Sequence, residues 1–273
     1  MNEDWKIEVL NEKERRGDFH FAVFDFDGTV SLIRRGWQGV MKGYFVEELS
    51  LFAGPGETIE SIKECVDDFV DLNTGKQTIY QCIVLCDEIE KRGGRPGDPI
   101  DYKQEYNRRL LDKIDYRLDG LRKGEMSGGD WVVPGSYELL GALRGRGLEL
   151  YLASGTDEQY VLDESRLLGV DGFFSGIYGA RDDYKNFSKK IVIQRLVSEN
   201  SLSGPELLGF GDGYVEIENI RDAGGFTVGV ASDEVNRRGM DEWKRRRLRQ
   251  AGADILIPDY SETETLLTYL FPA

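Results

Sequence analysis

Two aspartates follow an apolar run near the start of the chain, in the order Phe-Ala-Val-Phe, Asp25, Phe, Asp27, Gly28, Thr29. The apolar run predicts a buried strand that ends at a turn. Because a glycine lets the backbone turn away, the two carboxylates can diverge, so that one attacks while the other moves protons. Two acids at the carboxyl end of a strand also form an oxygen-rich site of the kind that holds Mg²⁺. The pair therefore indicates phosphoryl transfer through an aspartyl phosphate.

This segment resembles the first motif of the haloacid dehalogenase superfamily of phosphohydrolases, which is Asp-x-Asp-Gly-Thr after a hydrophobic strand. Short motifs also occur by chance, and the alternative is an ordinary strand and turn with solvated acids at its tip. The resemblance therefore needs three further motifs in a fixed order along the chain.

The second and third motifs of that family have counterparts here. The second is an apolar strand ending in Ser or Thr, and residues 148–156 supply one that contains Ser154 and Gly155. The resemblance implies that Ser154 binds a phosphoryl oxygen, whereas a turn or helix-capping serine is the alternative. The third motif is a lysine that opens a helix, and both Lys189 and Lys190 are available. Apolar residues three, four, seven and eight positions after Lys189 favour that lysine, although a shift of one residue would favour Lys190.

The fourth motif is an apolar strand followed by acids at a glycine turn. Residues 207–211 are Leu-Leu-Gly-Phe-Gly, and Asp212 and Glu216 follow them. The family form is Gly-Asp-x-x-x-Asp, so a glutamate stands here in place of the last aspartate. A glutamate is longer, which leaves open whether Glu216 binds a metal directly or through water.

Four motifs in the expected order identify the chain as a member of this superfamily. The resemblance implies an Mg²⁺-dependent phosphatase that hydrolyses a small phosphorylated metabolite. In that mechanism Asp25 attacks phosphorus, and Asp27 gives a proton to the leaving oxygen and later takes one from water. Ser154 and Lys189 bind the other phosphoryl oxygens.

The resemblance also implies which residues bind metal and phosphate. Mg²⁺ is expected at Asp25, Asp212 and the backbone carbonyl of Asp27, with Glu216 as a further candidate. Besides Ser154 and Lys189, the expected phosphate contacts are Gly28, Thr29, Gly155 and Lys190. Lys76 is a candidate substrate contact for a different reason, because it lies in a loop that opens a predicted helix of the inserted segment.

Two other functions compete with a phosphatase. A phosphomutase of the same family, similar to beta-phosphoglucomutase, uses the same residues but excludes water. A non-enzymatic phospho-receiver also phosphorylates an aspartate, but receivers are about half this length and have no inserted domain. Asp27 argues against a dehalogenase or phosphonatase, because those family members lack an acid at that place.

Composition restricts the partners. The 273 residues include 35 Lys and Arg against 50 Asp and Glu, a net charge of −15, which disfavours nucleic acid and anionic membranes. The acidic start Met1-Asn-Glu-Asp lacks the basic flank of a signal peptide. Three cysteines suit a reducing cytoplasm better than a disulfide framework. We therefore expect a cytoplasmic protein whose partner is a small molecule, with the oligomeric state left open.

The motif strands alternate with helical stretches, which predicts an α/β fold, a Rossmann-like doubly wound parallel sheet. Ligands of such sheets lie beyond the carboxyl ends of the strands, where all four motifs fall. Residues 1–33 and 131–273 form the predicted core. Residues 226–230 and 254–257 read as further strands, and residues 240–250 as a basic helix with a solvated face. Residues 5–10 fit either an edge strand or a loose terminus.

Residues 34–130 are too many for a loop and are predicted to form an inserted α-helical cap. Helical apolar spacing occurs in residues 44–52, 58–72 and 78–92. Residues 73–78 imitate part of a P-loop but follow a helix and lack the preceding glycine, which argues against nucleotide binding there. Lys76 fits a substrate contact and a plain surface loop equally well. Arg34 and Arg35 lie where the inserted segment begins. We favour the interpretation that they are a solvated pair at this hinge over the alternative that they screen the negative charge of the substrate.

Overall fold

The structure is a computed structural model that describes residues 5–12, 16–181, 189–199 and 204–272. Residues 1–4 lie outside the described residues. They are the acidic start that, in the sequence, lacks the basic flank of a signal peptide. The chain divides into two compact units. One contains the residues up to Arg35 and from Leu118 onward, and the other is Gly36–Arg117.

The described residues of the first unit contain a sheet of seven strands. They are β1 (Glu8–Val9), β2 (Phe21–Phe24), β3 (Glu149–Asp157), β4 (Gly176–Ala180), β5 (Leu207–Gly211), β6 (Phe226–Val230) and β7 (Ile255–Ile257). Their order in space is β1-β7-β6-β5-β2-β3-β4. The pairing is parallel throughout except between β1 and β7, which run antiparallel. The predicted α/β fold with a largely parallel sheet is confirmed, and an edge strand is present near the N-terminus.

The second unit is helical. It contains α1 (Trp37–Ser50), α2 (Ile59–Asn73), α3 (Thr78–Lys91) and most of α4 (Pro99–Arg122). Thr58 begins α2 with a capping box, in which its side chain accepts from the Ser61 N–H at 3.2 Å. Helix α1 begins earlier than the predicted residue 44, because Gly36, at a φ of 88°, turns the chain into the helix at Trp37. No described helix has both the length and the apolar character needed to cross a membrane.

The second unit is shorter than the predicted cap of residues 34–130. The last residues of α4 belong to the first unit, where Leu118 and Leu121 are buried. The Arg122 guanidinium donates to Asp163 Oδ2 at 2.7 Å, which ties the end of α4 to that unit. The boundary between Arg117 and Leu118 therefore falls inside a continuous helix.

The remaining helices belong to the first unit. They are α5 (Ser136–Gly145), α6 (Glu158–Leu167), α7 (Lys189–Glu199), α8 (Tyr214–Asp222), α9 (Glu242–Ala251) and α10 (Thr263–Leu270). On one face of the sheet, Val23 packs in a buried cluster with Val192 of α7 and Ile220 of α8. Phe24, the next residue, points to the opposite face and stacks on Phe210 with ring centroids 4.4 Å apart. This burial on both faces explains why the central strands are continuously apolar, and it fixes the strand ends that carry the motifs.

Candidate active site

The turn after β2 brings the first motif to the carboxyl edge of the sheet. The Asp25 N–H donates to the Phe210 carbonyl at 2.9 Å, which extends the pairing of β2 with β5 by one residue. The chain then turns at Gly28, whose φ is +75°. A Cβ at this position would overlap the carboxylate of Asp212. Position 28 therefore needs a glycine both for its backbone conformation and for the close approach of Asp212.

Asp25 lies at the centre of a buried ionic cluster. The ammonium of Lys189, at the start of α7, donates to Asp25 Oδ1 at 2.7 Å and also to Glu216 Oε1. Lys189 is 5% exposed, whereas Lys190 is 54% exposed and lies 3.8 Å from Asp222 Oδ2. Of the two candidate lysines, Lys189 is thus the one that the structure places at the site.

The electrostatics of this cluster favour an additional cation. Burial raises the pKa of Asp25 well above its usual range, and the Lys189 ammonium opposes that rise. The neighbouring carboxylates of Glu216 and Asp212 raise the pKa of Asp25 further. Burial and the two neighbouring carboxylates thus outweigh the Lys189 ammonium at Asp25, so a further positive charge close to Asp25 would favour its ionised form.

Asp27 has a different environment. The Thr156 hydroxyl donates to Asp27 Oδ2 at 2.7 Å, and Asp27 Oδ1 is buried with no hydrogen-bond partner among the described residues. Burial raises the pKa of Asp27, while the Arg34 guanidinium and the Thr156 hydroxyl oppose that rise. A carboxyl group with a raised pKa and an unpartnered oxygen is suited to giving a proton.

A β-bulge shapes the second motif. The pairing of β3 with β4 shifts register between Ala153 and Asp157, so Ser154, Gly155 and Thr156 lie in an irregular stretch at the end of β3. Ser154 is buried, and its Oγ accepts from the Thr156 N–H at 3.1 Å. The serine thus makes a local turn contact and keeps its own proton to donate. Thr156 is a site residue that the sequence analysis missed, although it lies two positions after the motif serine.

The fourth motif supplies two acids to the site. Asp212 follows β5, and its Oδ2 accepts from the Lys244 ammonium at 2.8 Å. Glu216, in the first turn of α8, is buried, with Oε1 bound to Lys189 and Oε2 without a partner in the described part of the chain. Glu216 as a metal ligand stays a prediction.

Lys244 corrects the expectation that the basic helix α9 is merely solvated. It is 8% exposed, and its ammonium also donates to Glu234 Oε1 at 2.8 Å and to Ser232 Oγ at 3.1 Å. The Ser232 hydroxyl in turn donates to the Gly28 carbonyl at 2.6 Å. Helical spacing shows which side chains share a face, but it did not reveal that Lys244 turns toward the ends of the strands.

Arg34 is likewise buried rather than solvated. Its guanidinium donates to both carboxylate oxygens of Glu164, at distances between 2.7 and 3.2 Å. Burial raises the pKa of Glu164 to about 7, and Arg34 opposes this rise. Arg35 lies over the Trp131 ring and donates to the Glu234 carbonyl at 3.0 Å. Both arginines thus have partners inside the first unit and do not form a solvated pair.

The model of the haloacid dehalogenase-like hydrolase family matches residues 21–224, a span that contains Asp25, Ser154, Lys189 and Asp212. The chain belongs to this family of hydrolases. A 5'-nucleotidase of Pseudomonas aeruginosa is 29% identical over 115 residues, which are 42% of this chain and 49% of that protein. This haloacid dehalogenase-like hydrolase thus matches about half the length of that curated relative.

Solved structures share the fold of this haloacid dehalogenase-like hydrolase. A beta-phosphoglucomutase from Clostridium difficile superposes with a TM-score of 0.62 at 14% identity, over 93% of this chain and 97% of that one. A predicted phosphoglycolate phosphatase from Haemophilus somnus 129pt gives a TM-score of 0.58 at 16% identity, over 91% and 98% of the two chains. At these identities the similarity establishes the fold alone.

The residues at the strand ends fit a hard divalent cation. Asp25 and Asp212 follow the adjacent strands β2 and β5, and the Asp212 carboxylate adds to the rise in the pKa of Asp25 that burial mainly causes. Among the described residues, no group of three or more His, Cys, Asp or Glu side chains has the placement of a complete metal site. Mg²⁺ commonly takes only one or two carboxylates and completes its shell with water and phosphate oxygens. The oxygen donors of Asp25 and Asp212 are of the kind that fits such a hard cation.

Thr29 and Lys76 were also predicted to contact phosphate or substrate. Thr29 is fully buried in the turn after β2, and its Oγ1 has no hydrogen-bond partner within the described residues. Lys76 is exposed between α2 and α3 of the second unit, where its ammonium donates to Asn73 Oδ1 at 2.9 Å. Contacts of Thr29 and Lys76 with phosphate or substrate stay predictions.

Proposed function

We propose that this chain is a phosphatase that hydrolyses a phosphate monoester of a small metabolite through a phosphoaspartate on Asp25. The proposal rests on the different environments of the two carboxyl groups, Asp25 and Asp27, that follow β2. Asp25 is bound by an ammonium, whereas Asp27 accepts from a neutral hydroxyl and keeps its other oxygen without a partner among the described residues. This is the division between a nucleophile and a general acid.

In the first half of the reaction, an Asp25 carboxylate oxygen bonds to phosphorus and the bond from phosphorus to the leaving oxygen breaks. Asp27 gives its proton to that oxygen, and the alcohol departs. In the second half, Asp27 takes a proton from water as the water oxygen bonds to phosphorus. The bond between phosphorus and Asp25 then breaks, which releases phosphate and restores both side chains.

Lys189 and Ser154 would stabilise the negative charge of the transferring group. The Lys189 ammonium already lies at Asp25 Oδ1, and the Ser154 hydroxyl lies in the bulge at the end of the adjacent strand. Asp25, Asp212 and the backbone carbonyl of Asp27 would hold Mg²⁺. When bound there, the metal neutralises charge on the phosphoryl oxygens and favours the ionised form of Asp25.

We propose a small phosphate monoester as the substrate, since the similar proteins include a 5'-nucleotidase and a predicted phosphoglycolate phosphatase. The net charge of −15 supports a small molecule rather than nucleic acid or an anionic membrane as partner. In the structure described, Cys65, Cys82 and Cys86 are not joined by disulfide bonds, which supports a reducing compartment such as the cytoplasm.

The test is an assay of phosphate release from 5'-nucleotides, sugar phosphates and phosphoglycolate, with and without Mg²⁺. We expect release from at least one ester to need both Mg²⁺ and Asp25, so that Asp25→Asn is inactive while retaining its circular dichroism spectrum. Equal turnover by Asp25→Asn would refute the nucleophile. Isomerisation of a sugar phosphate that needs a bisphosphate activator, without accumulation of phosphate, would replace the phosphatase with a phosphomutase.

A further inference from the structure

Thr156 controls one oxygen of the Asp27 carboxyl group. Its Oγ1 donates to Asp27 Oδ2 at 2.7 Å. A threonine hydroxyl has a single proton, and in the described part of the chain that proton has no other acceptor. Asp27 Oδ2 is therefore the accepting oxygen of the carboxyl group, which assigns the acidic proton to Oδ1.

Asp27 Oδ1 is the oxygen that the site leaves open. It is buried and has no hydrogen-bond partner among the described residues. A buried polar atom without a partner is costly, and such atoms in a native site are explained by a ligand or by a catalytic role. If the acidic proton lies on Asp27 Oδ1, it is available to a bound substrate and not to another group of the protein.

The backbone at Thr156 is held in place for this contact. Thr156 lies in the bulge of β3, and its N–H donates to Ser154 Oγ at 3.1 Å. A bulge changes the direction of a side chain relative to a regular strand. The hydroxyl of Thr156 thus reaches Asp27 although the two residues are 129 positions apart in the chain.

We propose that Thr156 is the positioning residue of the general acid: by donating to Asp27 Oδ2 it places the transferable proton on Asp27 Oδ1, facing the leaving oxygen. This inference rests on the proposed function. It assigns the segment from Ser154 to Thr156 two separate tasks. Ser154 binds the phosphoryl group, and Thr156 orients the carboxyl group that protonates the departing alcohol.

The test compares two esters that differ in their need for an acid. Phenyl phosphate has a poor leaving group and needs protonation, whereas p-nitrophenyl phosphate releases a stable phenolate. The measured quantity is kcat/KM, because it reports the steps up to departure of the alcohol. For Thr156→Val we expect a loss of about tenfold to a hundredfold with phenyl phosphate, part of the full contribution of an acid. With p-nitrophenyl phosphate we expect a loss of less than about threefold.

Thr156→Ser is the matched control, since it keeps the hydroxyl and should restore most of the activity with phenyl phosphate. Equal losses of Thr156→Val on both esters would overturn the proposal, because they would indicate a role in phosphate binding or stability. No loss on either ester would overturn it as well. Thermal unfolding of both variants shows whether a loss comes from misfolding. If the valine variant does not fold, Thr156→Ala, which also lacks the hydroxyl, decides the question with the same two esters.

Asp27→Asn separates this proposal from the proposed function. It should give the same dependence on the leaving group with a larger loss. If Asp27→Asn loses nothing on phenyl phosphate, then the assignment of Asp27 as the acid fails. If Asp27→Asn shows the selective loss and Thr156→Val does not, then only the role of Thr156 fails.

Discussion

Two buried lysines divide the acidic side chains of the site between them. Lys189 of α7 binds Asp25 and Glu216, whereas Lys244 of α9 binds Asp212 and Glu234. Burial opposes the charge of both ammonium groups, but the carboxylates around each of them outweigh it and raise its pKa. Both lysines therefore stay protonated over the whole pH range in which the protein would work.

The two clusters differ in how completely the ammonium is used. Lys244 has three acceptors, two carboxylates and the Ser232 hydroxyl, which match its three N–H donors. Among the described residues Lys189 has two acceptors, so one of its donors is available for a phosphoryl oxygen. The Lys189 cluster can therefore bind a phosphoryl group, whereas all three donors of Lys244 are already used within the protein.

Loss of Lys189 should have the largest effect on turnover. Lys189→Met removes the charge beside Asp25 and the donor to the phosphoryl group, so we expect kcat/KM for p-nitrophenyl phosphate to fall about a hundredfold to a thousandfold. Lys189→Arg, which keeps the charge, should lose less. If the methionine variant stays folded and keeps most of its activity, then the Lys189 cluster does not take part in the reaction.

Asp212 lies in the Lys244 cluster but is also a candidate metal ligand. Asp212→Asn removes one of few fixed carboxylates, so the Mg²⁺ concentration at half-maximal activity should rise at least about tenfold. Glu234→Gln is the matched control, because Glu234 shares the contact with Lys244 and is not a candidate ligand. Its midpoint should stay within about threefold of the wild type. Equal shifts in the two variants would assign the effect to the Lys244 network and not to a metal ligand.

Loss of Lys244 should act mainly on stability. Lys244→Met leaves Asp212 and Glu234 facing each other without a counter-ion, and breaking such a pair costs about 3 kcal/mol of unfolding free energy. Urea denaturation measures this quantity. Arg246→Met removes an exposed charge from the same helix and should change stability by less than about 0.5 kcal/mol. A Lys244→Met variant of normal stability would contradict a structural role for this network.

The sequence predicted one of the two clusters and missed the other for a physical reason. Asp25 and Asp212 follow apolar strands, and Lys189 opens a helix, so each belongs to a short segment whose local pattern can be recognised. Lys244 is one of five Lys and Arg residues in α9, and it lies on the same face as the buried Leu248 and Ala251. Its burial depends on how that helix lies against strands far away in the sequence.

The same reasoning applies to other features. The pairing of Arg34 with Glu164 and of Thr156 with Asp27 joins residues 130 and 129 positions apart, and no local pattern signals either contact. The strands from residue 226 onward and the helices α2 and α3 were predicted nearly to the residue, because periodicity and turn residues define them. The helical unit ends at Arg117 within α4, whereas the predicted insertion extends to residue 130.

The Arg34–Glu164 pair gives a prediction about pH. The pKa of Glu164 is raised to about 7 in the folded protein, above its value of about 4.5 in the unfolded chain. The folded state therefore binds this proton more tightly, so its contribution to stability is complete below pH 4.5 and is lost as the pH rises through 7. The expected loss is on the order of 3 kcal/mol. Glu164→Gln should flatten the pH dependence of the unfolding free energy in this window, and an unchanged slope would contradict the raised pKa.

Replacement of Lys190 should have the smallest effect on activity and stability. It neighbours Lys189 in the chain but is exposed, and its ammonium lies 3.8 Å from Asp222 Oδ2, an exposed pair worth less than about 1 kcal/mol. Lys190→Met should therefore keep kcat/KM within about twofold and leave thermal unfolding almost unchanged. The variant also tests the start of α7, because a helix shifted by one residue would bring Lys190 to Asp25 and free Lys189. If Lys190→Met lowers kcat/KM about a hundredfold and Lys189→Met stays active, then Lys190 and not Lys189 is the lysine at Asp25.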